Sequence, residues 1–164
     1  MKRSRVALSA LAITGVLVIS GCSSSSKSSS ATTTTSASGG VKVTTPVGAT
    51  TLTIVAGDTK GTNGPMTYKM SATTVPAGKV TIVLKNTGTI QHEAVVLKTD
   101  TAFDKLKVGA DNKVSESTTV GEVSETDAGK TKSSTLDLKP GNYVIVCNIA
   151  KHYAMGMRAA LVVT

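Results

Sequence analysis

From Val41 onward, no stretch of this 164-residue chain carries an apolar helical period over the length a helix needs. Short β-rich runs take its place, and turn residues break them at regular intervals. Thr51-Leu52-Thr53-Ile54-Val55 stops at Gly57-Asp58, and the run from Met66 to Val75 stops at Pro76-Ala77-Gly78. Lys79 to Lys85 leads into Asn86-Thr87-Gly88, and His92 to Leu97 forms another run. Ser133 to Leu138 meets Lys139-Pro140-Gly141-Asn142, Tyr143 to Val146 leads to Cys147, and Ala159 to Val163 ends the chain. About seven to eight strands punctuated in this way predict an all-β sandwich or barrel.

The chain has one Phe, three Tyr and no Trp, so its core must rest on Val, Ile, Leu and Ala. In the run from Tyr143, alternation puts Val144 and Val146 on one side and Tyr143, Ile145 and Cys147 on the other. Both sides are apolar apart from the thiol, which predicts a central strand buried on both faces. Thr99 to Glu116 reads as a polar connection, with one helical turn expected between Phe103 and Val108. Met66, Met70, Tyr68 and Tyr143 read as packing residues, and Glu122, Glu125 and Asp127 as a solvated surface.

Residues 1–40 have another texture. Lys2, Arg3 and Arg5 precede an apolar stretch from Val6 to Ile19. That stretch is short for a bilayer span and suits the core of a signal peptide. Val18-Ile19-Ser20-Gly21-Cys22 resembles the lipobox of bacterial lipoproteins. The resemblance implies that residues 1–22 form a signal segment and that Cys22 carries a lipid. Ser23 to Gly40 is almost all Ser, Thr, Ala and Gly, with Lys27 its one charge. Such a segment predicts a flexible tether with a reach of roughly 25 Å. The folded domain is then expected over 41–164, on the extracytoplasmic face of a bacterial cell membrane.

The formal charge of +8 overstates the basicity of that domain. From Val41 onward there are 14 Lys and Arg against 10 Asp and Glu, a difference of +4. The excess forms no run and no aromatic interleaving, which argues against nucleic acid as a partner. A protein partner, contacted as a monomer, is the expectation.

With Cys22 assigned to a lipid, Cys147 has no partner within the chain. In an exported protein such a thiol is a reactive liability or a metal ligand. His152 and Met157 follow it within one short run, Cys147-Asn148-Ile149-Ala150-Lys151-His152-Tyr153-Ala154-Met155-Gly156-Met157. A thiolate, an imidazole and a thioether suit copper, and two His, one Cys and a weak axial Met form the blue-copper ligand set. His92 is the only other histidine. It begins a separate β run, so the site forms only on folding and the metal is expected to stabilise the fold.

These residues resemble the cupredoxin family over most of residues 50–164, with sulfocyanin-like bacterial cupredoxins as the nearest likeness. The likeness extends to Val75-Pro76-Ala77-Gly78-Lys79-Val80, Leu84-Lys85-Asn86-Thr87-Gly88, His92-Glu93 and Leu138-Lys139-Pro140-Gly141-Asn142-Tyr143. It implies a Greek-key β-sandwich or barrel with one type 1 copper, held by His92, Cys147 and His152, with Met157 axial. Met155 competes for the axial place. The Cys-x4-His-x4-Met spacing of laccase-like loops favours Met157. Where many relatives have Pro-Gly, this chain has Ala150-Lys151, so a differently shaped loop is expected. Glu93 stands where relatives carry an amide or hydroxyl that braces the site.

Val146 and Asn148 flank Cys147, and no His-x-His pair occurs, which excludes a multicopper oxygen-reducing cluster. A closed four-ligand site leaves no position for substrate, so an enzyme is not expected. The resemblance implies a one-electron carrier. His152 would pass the electron to a redox partner through an apolar patch of Ala150, Tyr153, Ala154 and Met155. The competing reading is copper storage, delivery or sensing, with Met66 and Met70 as extra thioethers. A metal-free immunoglobulin-like domain would leave the Cys, His and Met spacing unexplained.

Overall fold

Two sheets are built from the runs that follow residue 50. The computed structural model describes residues 33–36, 42–45 and 48–164. The strands are β1 (Thr33–Ser36), β2 (Lys42–Thr45), β3 (Thr50–Asp58), β4 (Met66–Met70), β5 (Thr74–Val75), β6 (Gly78–Asn86), β7 (His92–Lys98), β8 (Thr119–Thr126), β9 (Thr131–Leu138), β10 (Gly141–Val146) and β11 (Arg158–Val163). β1 and β2 pair as a two-stranded antiparallel ribbon. The expected signal segment with Cys22 lies outside the described residues, as does the expected tether apart from Thr33–Ser36.

One sheet has the order β4-β3-β6-β9 and the other β5-β11-β10-β7-β8. β3 with β6 and β5 with β11 are parallel, and the remaining neighbours in both sheets are antiparallel. Among the described residues the one helical segment is a 3-10 turn at Gly61–Asn63. The helical turn expected between Phe103 and Val108 does not form. A single turn closed by the Lys105 amide on the Ala102 carbonyl, at 2.8 Å, stands there instead.

Alternation explains the main core. Leu52, Ile54 and Ala56 of β3 with Val80, Ile82 and Leu84 of β6 meet Ala94 and Val96 of β7, Tyr143 and Ile145 of β10, and Leu161 and Val163 of β11. Burying one such Leu or Ile contributes about 1.5–3 kcal/mol. β10 lies between β11 and β7 and is buried on both faces, as its two apolar sides predict. Val144 and Val146 turn to a second cluster with Val95, Leu97, Val114 and Tyr153, against which Leu106 and Val108 pack. The long 99–118 connection therefore covers the outer face of the central strands.

The Val146–Val95 pairing places the end of β10 beside the start of β7. Cys147 and His92 thus emerge at one end of the sandwich, which locates the site.

Candidate metal centre

Two loops meet at that end. The first, between β6 and β7, is organised by Asn86, which is buried. Its amide donates to the carbonyls of Ile90 at 2.7 Å and Thr126 at 2.8 Å, and its oxygen accepts from the Gly88 amide at 2.9 Å. Thr87 donates its hydroxyl to the Ala56 carbonyl at 2.9 Å. These bonds explain why Asn86-Thr87-Gly88 stands there, since they set where His92 begins β7.

The second loop runs from Cys147 to Met157 and is closed by its own backbone. The Cys147 amide donates to the Met157 carbonyl, the Met157 amide to the His152 carbonyl and the His152 amide to the Ile149 carbonyl, at 3.0–3.1 Å. The Met66 amide ties β4 to the loop through the Met155 carbonyl at 3.1 Å. Gly156 is required here. Its φ is +111°, and a Cβ would stand 2.8 Å from the Met66 carbonyl oxygen. Lys151 takes φ 76°, the left-handed conformation that a glycine adopts easily. Lys151 thus takes a backbone conformation that a glycine would favour.

The two loops bring His92, Cys147 and His152 together. Their ligand atoms lie within 4.8 Å of one another, and all three residues are buried. His92 Nδ1 is 3.3 Å from His152 Nδ1, which is 3.2 Å from Cys147 Sγ. Met157 is fully buried in the main core, and Met155 packs partly buried at its edge.

The surroundings of each donor follow from burial and local dipoles. Burial pushes the Cys147 thiol up to about 11, against the pull of the Glu93 and Ile149 amides. The Glu93 amide lies 3.5 Å from Sγ. Burial, followed by the neighbouring His92 ring, lowers His152, with Asp58 opposing. Glu93 is pushed up to about 7 by burial and by the Glu125 and Glu122 carboxylates, while the backbone N–H of Asn148 opposes. The backbone carbonyl of Glu93 accepts the Tyr68 hydroxyl.

Three residues around the site carry no signal in the sequence pattern. Asn148, next to the thiol, clamps the covering connection. Its oxygen accepts from the Val114 amide at 2.8 Å, and its amide donates to the Val114 carbonyl at 3.0 Å and to Glu116 Oε1 at 2.6 Å. Tyr68 reaches in from β4. Asp58, at the end of β3, places Oδ2 3.0 Å from His92 Nε2. Burial pushes the Asp58 carboxyl up. Hydrogen bonds from the Thr89 hydroxyl, the His92 ring and the Thr89 and Gly61 amides outweigh that and hold it well below the usual carboxylate range. The Gly57-Asp58 pair reads as an ordinary turn, and only folding brings it to His92.

One expectation is corrected. Tyr153 is buried, with its hydroxyl accepting from the Leu106 amide and donating to the Phe103 carbonyl, both at 2.9 Å. It therefore supports the covering connection from inside, while Ala150 and Ala154 are exposed and Met155 is half-buried.

The donor set fits a soft or borderline metal. One thiol and two imidazoles converge in a buried space, and binding must displace the thiol proton. The chain matches the family described as copper binding proteins, plastocyanin/azurin family, over residues 55–164. A solved auracyanin from the photosynthetic bacterium Roseiflexus castenholzii is 26% identical, with a TM-score of 0.50, over 68% of this chain and 96% of that one. A rusticyanin from Thiobacillus ferrooxidans, 17% identical over 70% of this chain and 77% of its own, shares the fold with a TM-score of 0.52. The comparison with curated proteins gave no match.

Proposed function

Because the chain belongs to the plastocyanin/azurin family of copper-binding proteins, with a His92, Cys147 and His152 cluster that fits one type 1 copper, we propose that it is a one-electron carrier. The convergence of three buried donors within 4.8 Å carries this reading. Copper, when bound, supplies the couple between Cu(I) and Cu(II). Cys147 would offer a soft thiolate, His92 and His152 imidazoles acceptable to both states, and Met157 a weak thioether donor. Hydrogen bonds to backbone groups tie both loops, which would hold the ligands in one geometry through a change of charge. Leu106, Val108 and Val114 pack against Val146 and Tyr153, keeping water from the strands beneath the site. The solved auracyanin is a dithionite-reduced protein, which supports electron exchange by likeness.

Burial also favours a carrier over a copper-handling protein. His152 is nearly fully buried, and Met66 is packed in the core, so Met66 and Met70 do not present a pair of exposed thioethers. Four protein donors on one copper would leave no position for substrate, which is in keeping with a role without turnover. Cys22 would carry the lipid, and residues 23–40 would let the domain meet its redox partner above an extracytoplasmic membrane surface. Loss of labelled palmitate from a Cys22→Ala chain expressed in a bacterium would support that anchor, and unchanged labelling would refute it.

The deciding experiment is the visible spectrum of the chain after adding Cu(II), followed by voltammetry. A strong thiolate-to-copper band that is lost in Cys147→Ser, with a reversible couple, is expected. Copper that binds but cannot be reduced and reoxidised would overturn the carrier reading.

A further inference from the structure

Asp58 lies at Nε2 of the His92 ring, whereas His152 faces Nδ1. Its Oδ2 is 3.0 Å from His92 Nε2, and neither side chain has solvent exposure. An ionised carboxylate only accepts, so the ring nitrogen facing it must carry the hydrogen. Nδ1 of a neutral His92 is then a bare lone pair, and Nδ1 is the atom that faces His152 at 3.3 Å.

The carboxylate is itself held. It accepts from the Thr89 hydroxyl at 2.5 Å and from the amides of Thr89 at 2.7 Å, Gly61 at 2.9 Å and Ile90 at 3.4 Å. Gly88 leaves room for it, because a Cβ there would stand 2.0 Å from Asp58 Oδ2. No Lys or Arg forms an ion pair with Asp58 among the described residues. Its negative charge is held by neutral donors and directed at the imidazole.

Resting on the carrier reading above, we infer that Asp58 is a positioning residue of the copper site. It selects the Nε2–H tautomer of His92, fixes the ring plane and favours the more positive oxidation state of the metal. Carboxylates that accept from a ligating His orient the ring and raise its basicity. The reduction potential is therefore lower than the same ligand set would have alone.

Voltammetry of the full chain and of Asp58→Asn tests this, because the variant keeps an acceptor of the same size and removes the charge. Loss of such an outer partner weakens metal binding roughly 10- to 100-fold. Falling on Cu(II) alone, a tenfold loss raises a one-electron potential by about 59 mV. A raised potential is the expected result, and an unchanged or lowered one would overturn the inference while a reversible wild-type couple left the carrier reading intact. A wild-type chain without a reversible copper couple would overturn both.

Should Asp58→Asn fail to fold, the imidazole nitrogen NMR spectrum of the metal-free wild-type chain decides. A proton on Nε2 of His92 supports the inference, and a proton on Nδ1 overturns it.

Discussion

Lys151 shows how a single residue bears on the geometry of the ligand loop. Its φ of 76° lies where a Cβ is strained, one position before His152. Lys151→Gly is expected to leave stability unchanged or raise it by up to about 1 kcal/mol, since relief of strain offsets the freedom a glycine brings to the unfolded chain. Lys151→Val should lower it by about 1–2 kcal/mol, because a β-branched side chain tolerates this region poorly. Thermal unfolding of the two variants checks this, and a valine variant as stable as the parent would refute it. The choice between Met157 and Met155 as axial ligand is tested at the same scale. Met157 is fully buried and Met155 is not. Met157→Leu should change the copper spectrum and potential, and Met155→Leu should leave both nearly unchanged. The opposite pattern would reassign the axial ligand to Met155.

Between elements, two side chains, Tyr153 and Asn148, hold the covering connection, and Asn148 holds its end at Val114 and Glu116. Asn148 makes two hydrogen bonds to the Val114 backbone and one to Glu116, and it is buried. Asn148→Ala leaves those groups unpaired and should reduce stability by about 1–3 kcal/mol. Hydrogen exchange of the Val114 amide should accelerate before that of the β10 amides. A Val114 amide as protected as in the parent would show that the connection is held elsewhere. The strands themselves were legible to different degrees. β3, β6, β7 and β10 carry apolar runs or alternation, and the sequence pattern finds them. β8 escapes it because Thr119–Thr126 has only Val120 and Val123 as large apolar residues and lies at a sheet edge. Its Glu122 and Glu125 look like scattered surface acids, yet they approach Glu93 closely enough to raise its carboxyl. The run from Met66 to Val75 splits into β4 and β5, which belong to different sheets. Strand pairing across the sandwich decides that split, and local propensity does not report it.

For the molecule as a whole, site and fold are one cooperative object, because β7 and β10 each supply the start or end point of a ligand. Copper at 1,000 times its dissociation constant should stabilise the chain by about 4 kcal/mol. The melting temperature should rise accordingly, and Cys147→Ser should abolish the rise. A melting temperature indifferent to copper would mean that the donors do not act as a site. The sequence by itself determined the all-β class and the short set of candidate donors, His92, Cys147 and His152, that folding brings together. Periodicity is local, and with two histidines and one thiol beyond residue 40 the choice of metal-binding groups is short. Tertiary structure alone decided which groups surround those donors. Asp58 meets His92, Tyr68 reaches the Glu93 carbonyl, and Tyr153 turns inward because of strand register and loop closure between residues distant in the chain. Those contacts depend on how separate segments pack together, which no local pattern encodes.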